Sequence, residues 1–404
     1  MNIIFIPSWY PTLDHPIVGI FVRDQAISIS KHYPQITIGI SIWGSHVEDL
    51  LLKKNDHIKI LPKLIRRSKY QPYSNELSNN CIEYFTPSYT WTRSIHGGNI
   101  QGIIQANLTN IARFEEQHGK IDLIHAHIGH PGGYVAAHIA DLYNVPYIIT
   151  EQMSPFPLQA YLDGKGKLNK WLRKAYDNSC CNISVGNAQL KTMSAHGVLN
   201  QKYIPNLVDE SVFYPEPKVN PDQKPVGFSF FALGRLEEQK GFDLLLEAFH
   251  IVIKKHPKTC LTIGGSGSLD AQLRNLCNRL GLSDRVTWKG ELNRNSAVKY
   301  FNECNAFILS SRHESFGIVL CEALACGKPI VTTLCGGPED ILDDSVGLGV
   351  ATDDPQDLSK KMIRMIENYS KYEPSKIRHY FEKRFSSGVV AAQIVEIYNQ
   401  IIGD

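Results

Sequence analysis

Nowhere does the sequence hold an apolar run near the roughly 18–20 residues that a bilayer-spanning helix needs, so its hydropathy excludes a helical membrane span. Its first residues, Met-Asn-Ile-Ile-Phe-Ile-Pro, lack a basic segment ahead of the apolar stretch. They read as a buried first strand rather than a secretion signal, and the cytoplasm is the expected address. The nine cysteines include no Cys-x-x-Cys pair. An odd number at such spacings fits neither a disulfide framework nor a zinc ribbon and leaves reduced packing residues. The Gly-x-Gly-x-x-Gly fingerprint is missing, which weighs against a dinucleotide-dependent oxidoreductase. No Asp-x-Asp motif ends a strand, so no obligatory divalent ion and no metal ligand set is expected, and no separate cofactor is called for. Charge is also scarce in excess: the net value is +2, with a mildly basic first half and a mildly acidic second. A dedicated nucleic-acid binder would carry a strongly basic domain, so nucleic acid is not an expected partner.

The chain does have length enough for two cores. Its 404 residues suit two domains of roughly 200 each. Short β-rich runs alternate with helical stretches, the pattern of parallel sheets covered on both faces. Strands are predicted at 2–6, 35–42, 121–127, 145–150 and 180–185. The pattern then restarts after a polar, proline-bearing stretch at 209–225, the predicted linker. A second set follows at 226–233, 259–263, 285–288, 306–310 and 329–332. The expected architecture is α/β, two Rossmann-like doubly wound domains, residues 1–205 and 206–385, whose strand edges face a central cleft.

Three segments of the second half carry chemistry. In ESFGIVLCEALACGKP, Glu314 falls on the loop after a strand, Gly317 opens a helix and Gly327-Lys328-Pro329 stops it. The unpaired amides of Phe316, Gly317 and Ile318 at the helix start favour a phosphate or an electron-rich sugar. Glu322, just over one turn further, can accept hydrogen bonds from vicinal hydroxyls such as those of ribose. In GRLEEQKGFDLLLEAF, Arg235 and Lys240 share one strand-to-helix loop, where two cations suit a diphosphate. The third loop, Gly264-Gly265-Ser266-Gly267, is compatible with ligand approach at Gly265 and equally with a tight turn.

Together these segments resemble the retaining glycosyltransferases of family 4, which have the GT-B fold. The resemblance implies that Arg235 and Lys240 hold the diphosphate of a nucleotide-sugar donor, Glu314 the transferred sugar and Glu322 the ribose. The backbone around Trp288, Lys289 and Gly290 would meet the base, and Gly19, within Pro-Ile-Val-Gly-Ile-Phe, would lie near the phosphates. The last segment, 386–404, would be a helix crossing back to the first domain. Configuration at the anomeric carbon would be retained.

In the first half, IDLIHAHIGHPGG places His125 and His127 on one side of a strand end with His130 just beyond. His-x-His can ligate zinc, but no Cys or carboxylate nearby completes a set, and packing is the plain alternative. The resemblance points to His127 as the residue facing the transferred sugar, with His125 and His130 as cleft-lining candidates. Similar sequences show Thr-x-His after the next strand, whereas this chain reads Thr150-Glu151-Gln152. Glu151 becomes a candidate acceptor contact.

The expected activity is hexosyl transfer from a nucleotide sugar, UDP first, to a saccharide or lipid-linked saccharide in cell-surface polysaccharide or glycolipid synthesis. A catalytically silent nucleotide-sugar-binding protein is the rival on the same scaffold. Finally, 50–73 interleaves Lys53, Lys54, Lys59, Lys63, Arg66, Arg67 and Lys69 with leucine and isoleucine, opposed by Asp56, and 165–174 surrounds Trp171 with cations. Basic residues beside apolar ones suit an anionic membrane surface, which would put the protein peripherally on the inner face of the plasma membrane. A solvated charged face is the alternative.

Overall fold

The computed structural model describes residues 1–12, 16–44, 47, 50–52, 60–66, 69–91, 95–216 and 227–403. Much of the expected linker therefore lies outside the described residues, as do Lys53, Lys54, Asp56, Lys59 and Arg67. The chain forms two compact units. The first comprises Met1–Val185, Gln189–Pro205 and Val390–Asp404; the second comprises Gly186–Ala188 and Asn206–Val389.

The first unit is built on an eight-stranded sheet. Its order runs Gln201–Tyr203, Cys181–Ser184, Tyr147–Glu151, Leu123–His127, Asn2–Pro7, Thr37–Ile42, Cys81–Phe85 and Tyr73–Ser78. All neighbours are parallel except the last pair, an antiparallel hairpin at one edge. The central strand Asn2–Pro7 is apolar from Ile3 onward, as expected for a strand buried on both faces: Ile3, Ile4, Phe5 and Ile6 are each at most 1% exposed. Strand order reverses direction between Asn2–Pro7 and Leu123–His127, where Pro7 pairs with His127. The final helix, Ser387–Ile402, starts in the second unit and from Val390 packs with the first.

The second unit holds a six-stranded parallel sheet in the order Val286–Trp288, Cys260–Gly264, Ser229–Leu233, Ala306–Leu309, Ile330–Thr333, Gly347–Val350. In chain order this is 3-2-1-4-5-6, the doubly wound arrangement whose ligand crevice opens where the order reverses. That point lies between Ser229–Leu233 and Ala306–Leu309. Behind it Phe231 packs edge to face on Phe301 and Phe307, which tilt against each other, with centroids 5.1–5.7 Å apart, fixing the two strands against the helix Arg294–Glu303.

Within 50–73 the described residues include a short strand and a short helix. Leu51–Leu52 pairs with Thr90–Trp91, and Ile60–Arg66 is helical. Among the described residues no helix is long and apolar enough to cross a membrane.

Candidate functional site

The switch point of the second sheet gathers the cationic and acidic residues singled out in the sequence. Lys240 Nζ lies 2.5 Å from Glu314 Oε1, and the Ser311 hydroxyl donates to the same oxygen at 2.8 Å. The two ionic side chains are 18% and 9% exposed, so they meet where water screens them little. Three backbone-directed bonds hold their loops together: Ser310 Oγ donates to the Lys240 carbonyl, Arg312 N to the Gln239 carbonyl, and Gln239 Nε2 to the His313 carbonyl. Gly241, at φ 60°, sits so close to the Ser310 carbonyl that a Cβ would collide with it. Arg235 occupies the same loop with its side chain exposed.

Arg312 is the residue that sequence reasoning missed. Its guanidinium donates to both carboxylate oxygens of Asp243 at 3.0 and 2.7 Å, to Asp353 Oδ1 at 2.7 Å and to the Glu238 carbonyl at 2.7 Å. Burial works against the Asp243 charge, yet the guanidinium holds its carboxyl below the usual range. The only hint in the sequence is an arginine two residues before Glu314; its partners are remote along the chain.

Neighbouring strand ends extend this edge. Gly265, at φ 127°, brings its backbone onto the Gly234 carbonyl, and its N–H donates to the Gly290 carbonyl at 2.6 Å. The turn at Gly265 is thus required by loop packing itself. Lys289 N donates to Ile263 O at 2.9 Å, while Arg274 covers the Trp288 ring at 4.9 Å. On the other side Gly317, at φ 94°, opens the helix Ile318–Ala325, whose first amides lack intrahelical acceptors. Phe316 is buried beneath it. Gly337 N donates to the Glu314 carbonyl at 2.9 Å, pinning the loop after Ile330–Thr333 to the same place. Glu322 stands half-buried within that helix.

In the first unit, His125 and His127 are both fully buried and stack on one another with centroids 4.5 Å apart. His125 is closed in: Nδ1 meets the Tyr398 hydroxyl at 2.6 Å and Nε2 the Thr150 hydroxyl at 2.7 Å. Burial, reinforced by His127, holds its basicity well below the ordinary histidine range. Neither ring nitrogen of His127 has a partner of good hydrogen-bond geometry. Burial drives its pKa down to about 3, with the Gln152 side chain acting weakly in the opposite sense. His130 packs among Tyr134, Tyr161 and Trp171. Glu151, expected at the acceptor, is instead buried and bound by four donors of its own chain. Gly19, at φ 69°, precedes the helix Ile20–His32 and lies against the Trp9 carbonyl. Among the described residues no cluster of His, Cys, Asp and Glu could hold a metal ion.

Residues 218–384, which include this whole second edge, match the family described as glycosyl transferases group 1. This part of the chain is thus similar to the group 1 glycosyltransferases. The chain is 27% identical over 342 residues to an uncharacterized glycosyltransferase of Methanocaldococcus jannaschii, covering 84% of this chain and 87% of that one. Two other curated relatives are spanned over 46% and 44% of their own lengths. In fold, the chain is similar to sucrose-phosphate synthase from Thermosynechococcus elongatus, with a TM-score of 0.74, 17% identity and coverage of 100% and 99% of the two chains. It is similar also to Anabaena HepE in complex with UDP, with a TM-score of 0.69, 19% identity and coverage of 99% and 100%. The fold is GT-B.

Proposed function

We infer that this protein is a glycosyltransferase that moves a hexose-type sugar from a UDP-sugar to a saccharide or lipid-linked saccharide, retaining the anomeric configuration. The observation that carries the reading is the Lys240–Glu314–Ser311 cluster at the switch point of the second sheet. A partly desolvated lysine beside a preset carboxylate supplies what the reaction needs. When the bond from C1 to the diphosphate oxygen breaks, its electron pair stays on the leaving group, where Arg235, Lys240 and the amides at Gly317–Ile318 take up the charge. The acceptor hydroxyl then bonds to C1 from the same face and passes its proton to the departing diphosphate. Glu314 would orient the sugar hydroxyls, Glu322 the ribose, and the backbone at Trp288–Gly290 the base. His127 would face the sugar, and a ring kept neutral by burial can donate or accept one hydrogen bond without adding charge. UDP as the nucleotide is supported by the UDP complex of HepE. The basic, apolar stretch 50–73 favours an acceptor presented at an anionic membrane surface.

The test is a thermal-shift screen of UDP-, GDP- and ADP-sugars followed by turnover of the radiolabelled donor that binds. A ligand held only by the folded state raises the melting temperature, by about 2.7 kcal/mol of stability at a hundred times its Kd. A UDP-sugar is expected to give the largest shift. Binding without turnover against any saccharide or lipid-linked acceptor would favour the silent sugar-binding protein.

A further inference from the structure

The edge that carries His127 is shaped by one carboxylate. Oε1 of Glu151 accepts from Gln152 N at 2.9 Å and from Met153 N at 2.6 Å; Oε2 accepts from Gly129 N at 2.9 Å and from the Tyr176 hydroxyl. With four donors in place, no strong acceptor site is left for a substrate hydroxyl. Tyr176 approaches Gly129 so closely that a Cβ there would strike its hydroxyl. Between His127 and Gly129 the chain reverses at Ile128, with φ 69° and ψ 134°. Such a backbone is strained for a β-branched residue and persists only where its surroundings fix it. The fixing bonds are all present: Ile128 N to Thr150 O at 2.8 Å, Ser8 Oγ to Ile128 O at 3.2 Å, and Gly133 N to Ile128 O at 3.0 Å. Glu151 therefore ties together the turn that follows His127 and Gln152, whose side chain acts on the His127 ring from just past the strand Tyr147–Glu151.

We propose that Glu151, backed by Tyr176, is a positioning residue that presets the His127–Gly129 turn and Gln152 as one surface for the transferred sugar. This rests on the reading of His127 as the sugar-facing residue, but the arrangement itself can be measured without turnover. Strain at Ile128 is released when the carboxylate loses its grip, and water then reaches the imidazole.

The full-length chain with 15N-labelled histidine is titrated by NMR as wild type, Glu151→Gln and Tyr176→Phe, beside kinetics with the UDP-sugar. Wild-type His127 is expected to show no titration between pH 5 and 8. In both variants a midpoint should enter that window, approaching the unperturbed value of about 6.5. Turnover at saturating donor should fall by about tenfold or more while the donor KM stays within about twofold. Tyr176→Phe removes only one hydroxyl and keeps the test alive if Glu151→Gln does not fold. Unaltered His127 titration in the folded variants overturns the proposal, and so does altered titration with wild-type turnover. A wild-type chain that binds no nucleotide sugar would refute the functional reading instead, and the titration would still decide whether Glu151 sets His127.

Discussion

Lys240 and Glu314, 74 residues apart in sequence, meet at 2.5 Å on adjoining strand ends of the second sheet. Because both side chains are mostly withdrawn from water, removing one leaves the other poorly compensated. Lys240→Ala should therefore slow turnover at saturating donor by about 10²–10³-fold, the scale of losing one charge-stabilising group from a preset site. A double-mutant cycle of Lys240→Ala and Glu314→Ala, followed by denaturant unfolding, should return a coupling of about 0.5–3 kcal/mol. Additive single-mutant effects would show that the pair is not an energetic unit.

Arg312 governs the same loop from behind. Its planar fork spans Asp243, Asp353 and the Glu238 carbonyl at once, which a lysine cannot reproduce. Arg312→Lys should keep the charge yet raise the donor KM and lower kcat, because the 238–240 segment is released. Arg312→Ala assayed with added guanidinium should recover part of the lost rate, whereas Arg312→Lys should gain nothing. Wild-type kinetics in Arg312→Lys would assign the arginine to surface charge alone.

The difference between Lys240 and Arg312 shows what was legible in the sequence. Parallel strands announced themselves as apolar runs, and Gly317 and Gly327 marked both ends of the helix Ile318–Ala325 because only glycine takes their positive φ easily. Elements with mixed patterns stayed hidden. The hairpin Tyr73–Ser78 with Cys81–Phe85 begins at an exposed edge, and Gly347–Val350 has too little side chain to read as a strand. The partners of Arg312 lie 69 and 41 residues away, a distance no local pattern spans. Glu151 was visible as a residue type, but its saturation depends on Tyr176 and a reversed turn at Ile128 that only the fold brings together.

Glu322→Ala should weaken nucleotide binding by about 1–3 kcal/mol, the cost of leaving desolvated hydroxyls without an acceptor. Isothermal calorimetry with UDP reads this directly, since ribose contacts persist without the sugar. An unchanged Kd would remove Glu322 from the nucleotide site.

The buried histidines give stability a predictable pH dependence. The folded pKa of His127 is near 3 and that of His125 is also lowered, whereas the unfolded value is about 6.5. Below that value the unfolded chain binds protons that the folded chain refuses, so stability falls as the pH drops from about 6.5 toward 3. The slope is about 1.4 kcal/mol per pH unit for each such histidine. Urea unfolding of wild type and His127→Asn between pH 7 and 5 should show the shallower decline in the variant. Parallel curves would mean that His127 titrates normally in the folded state.

The helix Ile60–Arg66 turns Leu61 and Ile65 outward at 70% and 69% exposure, with Leu64 at 43%; it ends on the exposed Arg66, and the exposed Lys69 lies three residues on. Single leucines are as exposed elsewhere, at Leu142 and Leu199; what distinguishes this helix is that its exposed apolar side chains are neighbours, as in an interaction patch. Next to cations they suit the boundary between headgroups and acyl chains, where each basic residue contributes about 1 kcal/mol on an anionic leaflet. Wild type should co-sediment with vesicles containing phosphatidylserine and dissociate as salt rises, because the surface potential decays over about 8 Å at physiological ionic strength. Arg66→Ser with Lys69→Ser should remove the salt-sensitive part of binding, and Leu61→Ser with Ile65→Ser the remainder, each leaving UDP affinity intact. If wild type never sediments at low salt, the acceptor is presented in solution and the helix serves another contact.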